Sequence, residues 1–215
     1  INTVQTCISQ AHNIILVRDK KNYKDINTSA MAMIMFFAII TSILIYCFAY
    51  KITYIYELEQ DTRETLTVIL KLKAIQLPIV ALGYVPRNNL KVNEKTKTIF
   101  IIVIASSIVN IVGDLISVKY GFDEKGIYIA TILSTCVSSV LFLILSKFEI
   151  GKISINYIKE LVKYGKDLVF NKIVQRIVNL FYMHVASSFG TEPYAIHCVC
   201  VGVSDLLSES IEGYY

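Results

Sequence analysis

From Ala30 to Tyr50 the chain reads AMAMIMFFAIITSILIYCFAY, twenty-one residues without a single charge. At about 1.5 Å per residue such a run covers about 30 Å as a helix, the thickness of a bilayer's hydrocarbon core. Thr98–Lys119 (TIFIIVIASSIVNIVGDLISVK) and Gly126–Ser146 repeat the pattern. So does TLTVILKLKAIQLPIVALGYV at 65–85, where Lys71 and Lys73 lie near the first turns and have stems long enough to reach an interface. In lipid every backbone N–H and C=O has to bond within its own segment, which leaves the helix as the conformation for each run. The expected fold is therefore all-α and polytopic, a helical membrane protein. Residues 1–17 read as the tail of a helix, a further helix is expected over about 168–189, and a partial span follows it, so the chain is expected to be a fragment. With 54% hydrophobic and 18% charged residues, a soluble domain of this length would lack polar surface to cover itself.

Loop charge tests these boundaries independently. Lys plus Arg number 4 in 18–29, 2 in 51–64, 4 in 86–98, 2 in 119–125, 5 in 147–167 and 0 in 187–194. Every second loop is basic, as the positive-inside rule requires if the first, third and fifth face the cytoplasm. The formal charge of +4 thus follows topology, and nucleic acid is not an expected partner. The 98–119 helix then runs from inside to outside, and Asp114 falls in its outer half.

Asp114 is the costly residue. Ser107, Asn110, Asp114 and Ser117 share one helix face, and ionisable groups within spans generally face a bundle interior or a water-filled path. The next helix returns inward from Gly126, which sets Thr131 at the depth of Asp114. Carboxylate, amide carbonyl and hydroxyl are hard oxygen donors, suited to Na⁺ or to a proton on Asp114 rather than to a transition metal. A purely interhelical hydrogen-bonding role for Thr131 stays open beside that reading. Asn171, Gln175 and Asn179, spaced i, i+4, i+8, give a later helix a polar face that either lines a substrate cleft or bonds neighbouring helices. Lys172 and Arg176, near that helix's cytoplasmic end, are expected to reach the interface. The acidic residues Asp205, Glu209 and Glu212 fall largely on one helical face near the end of the chain. His197, Cys198 and Cys200 lack the ligand number and spacing of a metal site, and His184 reads as a core residue. The five cysteines, an odd number mostly within apolar segments, read as small buried hydrophobes rather than a disulfide framework. There is no nucleophile–base pair at helical spacing, no HExxH and no glycine-rich phosphate loop, so no enzyme, cofactor or resident metal is expected.

KTKT at 95–98, then Asn110 and Asp114, GIYIATILS at 126–134 and FGTEPYAIH at 189–197 resemble, in order and spacing, the multidrug and toxic compound extrusion transporters. The resemblance covers essentially the whole chain and implies two six-helix lobes. Residues 1–147 would be the first-lobe part, from the end of helix 2 to helix 6, 148–166 a cytoplasmic inter-lobe linker, and 167–215 the start of the second lobe. It implies a cation site at Asp114, Asn110 and Thr131, completed by an acid in a first helix that precedes this sequence. The sequence departs from the family at KVNEKTK, where Val92, Glu94 and Lys95 replace Gly, Gly and Asp, and at Asn171, which replaces a Glu. The implied function is Na⁺- or H⁺-coupled export of small organic, often cationic, compounds across a bacterial cytoplasmic membrane, with membrane lipid as the surroundings. The alternative is a flippase of related fold for lipid-linked anionic substrates, supported if Lys71, Lys73, Lys172 and Arg176 face a central cleft, because an anionic headgroup requires Lys or Arg partners.

Overall fold

The computed structural model describes residues 2–54, 60–188, 190, 196 and 199–201, all helix, turn or coil. The chain divides into two units, Ile1–Asp167 and Leu168–Tyr215. The first holds α1 (Thr3–Arg18), a single 3₁₀ turn (Lys20–Asn22), α2 (Tyr23–Tyr54), α3 (Gln60–Val92), α4 (Thr96–Tyr120), α5 (Asp123–Leu145) and the first turns of α6 (Ile155–Ser188). Among the described residues, Lys20–Tyr54, Gln60–Val92, Thr96–Tyr120 and Glu124–Leu145 are long and apolar enough to cross a membrane. The protein is an all-α, multi-pass integral membrane protein.

α3 is the hub of the first unit, packing against α1, α2, α4 and α5, while α4 and α5 form an antiparallel pair at its side. Between helices in lipid no hydrophobic effect drives association, so small side chains that let backbones approach do the work. Ala30, Ala38, Ala49, Ala74 and Ala81 on α2 and α3 are all fully buried. Outward, Phe100, Ile101, Ile108, Ile111, Leu115 and Val118 of α4 are exposed, the surface a helix turns to lipid.

Two prolines lie inside α3. Proline lacks the N–H that would bond the carbonyl four residues earlier, so Pro78 leaves the Ala74 carbonyl without its helical donor. The Ser42 hydroxyl of α2 supplies one, donating to Ala74 O at 2.7 Å. Pro86 does not end the helix, and the expected loop at 86–98 contracts to Asn93–Lys95. The extra turns are held from α1: Asn88 Nδ2 donates to Ser9 O at 2.7 Å and lies 3.1 Å from His12 Nδ1, while His12 Nε2 lies 2.9 Å from Asn27 Oδ1 of α2. With Asn88 donating, His12 Nδ1 is the acceptor and Nε2 the donor, the neutral tautomer.

α6 starts at Ile155, well before the expected 168, because its first turns pack on the first unit. Leu161 is fully buried with Ile8, Ile15 and Ile26, Tyr157 OH donates to Asp19 Oδ2 at 3.0 Å, and Arg18 pairs with Glu160 and donates to Tyr164 OH at 3.0 Å. The preceding strap runs along the start of α2 and bonds its polar side chains. Gly151 N donates to Thr28 Oγ1, Lys152 N to Asp25 Oδ1 and Ser154 N to Ser29 Oγ, at 2.8–2.9 Å. Glu149 pairs with Lys24 and accepts from Tyr23 OH at 2.7 Å. The Lys24 ammonium, and after it the Tyr23 hydroxyl, hold its carboxyl below the usual range.

In the second unit α6 continues to Ser188, interrupted by Asn171, Lys172, Gln175 and Asn179. It is not among the helices apolar enough to count as spans.

Candidate functional site

α4 ends where Gly121 takes the left-handed conformation (φ 68°), with Phe122 N donating to Ser117 O at 2.9 Å. That turn folds α5 back along α4 at once. At Gly113 the two helices lie so close that a Cβ would stand 2.6 Å from the Ala130 Cβ, and at Gly126 one would stand 2.7 Å from Ser117 Oγ. Two glycines thus set the separation, and the Gly113–Ala130 contact puts the adjacent Asp114 and Thr131 at one depth, as expected from the sequence.

Asn110 and Asp114 face inward together, with Asn110 Nδ2 donating to Asp114 Oδ2 at 3.1 Å. The amide oxygen of Asn110 then accepts from Ser134 Oγ at 3.2 Å. Thr131 turns its hydroxyl to its own helix, donating to Ile127 O at 3.0 Å, whereas Ser134, one turn further on, reaches across to Asn110 while sharing its one hydroxyl proton with Thr131 O of its own helix at 2.9 Å. Asp114 Oδ1 is buried without a hydrogen-bond partner. A buried acceptor left unpaired costs about 1–3 kcal/mol, more if charged, so this oxygen is free to take a further partner.

The polar path continues into α3. Thr135 Oγ1 donates to Thr131 O at 2.7 Å and accepts from Gln76 Nε2 at 2.8 Å, and Lys73 Nζ donates to Gln76 Oε1 at 3.1 Å. Lys73 sits 5.4 Å from the Tyr128 ring centroid and Lys71 5.5 Å from that of Tyr46. Neither lysine has an acid partner among the described residues. The sequence placed these lysines but not the hydrogen-bonded path from Lys73 to Asp114 across three helices, which runs through the Thr131 backbone carbonyl that Thr135 and Ser134 share. Its signal was present in the shared faces of Thr131, Ser134 and Thr135 on α5 and of Lys73 and Gln76 on α3.

Asn171, Gln175 and Asn179 are exposed along α6, at the expected helical spacing. No group of three or more His, Cys, Asp or Glu able to hold a metal occurs among the described residues. His197, Cys198, Asp205, Glu209 and Glu212 lie outside the described residues, as do the side chains of Arg176 and His184. Cys47 and Cys200 are exposed rather than buried.

A family model described as polysaccharide biosynthesis protein matches residues 1–214. No curated protein and no solved structure matches the chain. Because the family model runs over nearly the full sequence, this membrane protein belongs to the polysaccharide biosynthesis protein family.

Proposed function

We propose that this protein is part of a carrier that moves a lipid-linked, phosphate-bearing saccharide across a bacterial cytoplasmic membrane, with Asp114 coupling the movement to a proton or Na⁺. The observation that carries the reading is the pair Lys71 and Lys73. Each is held on a tyrosine ring within a span, without a carboxylate to neutralise it among the described residues. Both lie near the outer interface, where a lysine without a carboxylate is open to an anionic headgroup. The family description points the same way. This is the flippase alternative raised by the sequence, in preference to export of organic cations, for which two unpaired lysines are the wrong charge.

Coupling rests on Asp114 Oδ1, the buried oxygen with no partner. Taking up a proton or cation there changes the charge at one end of a polar chain whose other end is Lys73, and a ligand that binds two conformations unequally shifts their populations. Asn171, Gln175 and Asn179 serve as polar contacts for the saccharide.

The test is flipping of a fluorescent lipid-linked saccharide diphosphate in proteoliposomes of the full-length protein. Lys71→Gln with Lys73→Gln should lower the rate by about 10- to 100-fold, the value of one charge-assisted contact of about 1.5–3 kcal/mol. Asp114→Asn should retain binding and lose dependence on the ion gradient. Unchanged flipping in the double lysine variant, with organic-cation export abolished in Asp114→Asn, would return the reading to a multidrug antiporter.

A further inference from the structure

The three basic loops meet at one end of the first unit around a cavity of about 440 Å³. Its walls include Lys20 from the α1–α2 turn, Asn89 from the last turn of α3, Asn93 and Lys95 from the α3–α4 turn, and Lys147 and Glu149 from the start of the strap. Lys20, Lys95 and Lys147 have no acid partner among the described residues, whereas Glu149 is engaged by Lys24 and Tyr23. The cavity is therefore positively charged. Asn89 is only 6% exposed, lines this space, and its side-chain amide bonds no other group among the described residues. That amide stays open to the cavity and is available to donate to a ligand held there. Lys147, one of the two non-glycine residues with left-handed backbone among the described ones (φ 50°), borders the same space. L side chains adopt that conformation at a cost.

We infer that this cavity is a phosphate-group binding site, separate from the Asp114 region and from Lys71 and Lys73, and that it holds the headgroup phosphate of an anionic lipid in the inner leaflet. Three ammonium groups and an amide N–H suit a compact, multiply oxygenated anion, and lysine binds phosphate as a point charge without a fixed fork geometry. The volume is that of a small-ligand site. The loops that form it are those the charge alternation assigns to the cytoplasmic face, where anionic lipids are concentrated.

The site is tested on the full chain in neutral detergent by the thermal stabilisation that dihexanoyl-phosphatidylglycerol, dihexanoyl-phosphatidylcholine or inorganic pyrophosphate confers, since a ligand of the native state raises Tm in proportion to its occupancy. Phosphatidylglycerol should stabilise the protein where phosphatidylcholine does not. The Lys20→Gln/Lys95→Gln/Lys147→Gln variant should bind it about a hundredfold more weakly, and each single variant about fivefold more weakly. A Lys119→Gln/Lys125→Gln variant, altered at the opposite end, should behave as the wild type. Stabilisation by pyrophosphate alone would overturn the assignment to lipid and leave a site for soluble phosphates. Equal stabilisation of wild type and all three single variants by phosphatidylglycerol, or none of the wild type by either probe, would overturn the site itself. The single variants keep the test decisive if the triple variant does not fold.

Discussion

Replacing Gly113 by alanine should part α4 from α5 and uncouple Asn110 from Ser134. The added Cβ would stand 2.6 Å from the Ala130 Cβ and 3.4 Å from its Cα. Carbon atoms rest at about 3.5–4 Å, so the helices must separate by about 1 Å at that level. One turn away the Ser134–Asn110 bond is already 3.2 Å long, and the same displacement carries it beyond hydrogen-bonding range. Overpacking costs about 1–3 kcal/mol and an interhelical hydrogen bond in a membrane about 0.6 kcal/mol, so the expected loss is about 2–4 kcal/mol. Thermal unfolding in detergent should show it as a lower Tm than in Val112→Ala, which alters an adjacent, exposed side chain. Ser134→Ala should reproduce only the hydrogen-bond part. If Gly113→Ala unfolds at the temperature of Val112→Ala, the close approach does not hold the site together and the argument fails.

Cysteines at Asn22 and Lys152 should react with an impermeant reagent from one side of the membrane and a cysteine at Lys125 from the other; reaction of all three from one side would refute the topology. Gly151→Ala would place a Cβ 2.6 Å from the carbonyl carbon of Lys24, so the strap should lift and lose its bonds to Asp25, Thr28 and Ser29. Faster trypsin cleavage at Lys152 would register this, and an unchanged rate would count against it. Bulky replacements at Asn171, Gln175 and Asn179 should change which saccharides are carried while expression holds; loss of folded protein in all three would favour a structural role.

The spans were legible because lipid imposes one requirement on every residue of a run. Ala30–Tyr50 lies within α2, 65–85 within α3, 98–119 within α4, and all but the last residue of 126–146 within α5. The common end of the basic loops was legible for a similar reason, as charge is confined to the surface. Helix ends were not, since they depend on partners distant in sequence. Asn88 extends α3 through Ser9 and His12, and Leu161 with Tyr157 draws the start of α6 back to Ile155. At the candidate site, depth could be counted from the turn, which put Asp114 level with Thr131. Which α5 hydroxyl crosses to Asn110 depends on side-chain rotamers, and Thr131 satisfies itself on Ile127 while Ser134 crosses.

The Ser42–Ala74 bond has a mechanical consequence. Away from the two prolines of α3, bending opens a backbone bond inside lipid, where both freed groups go unpaired. At Pro78 the backbone bond is absent from the outset, and its replacement ends in a hydroxyl on a rotatable side chain of another helix. Rotation about the Ser42 Cα–Cβ bond lets the hydroxyl follow the Ala74 carbonyl through a change of angle, so α3 can flex there while its polar groups stay satisfied. Lys73 lies on the outer arm of that joint and Asn88 on the inner one, anchored to α1. A swing at Pro78 would therefore move the lysine and leave the inner end in place, giving a transport cycle a built-in pivot.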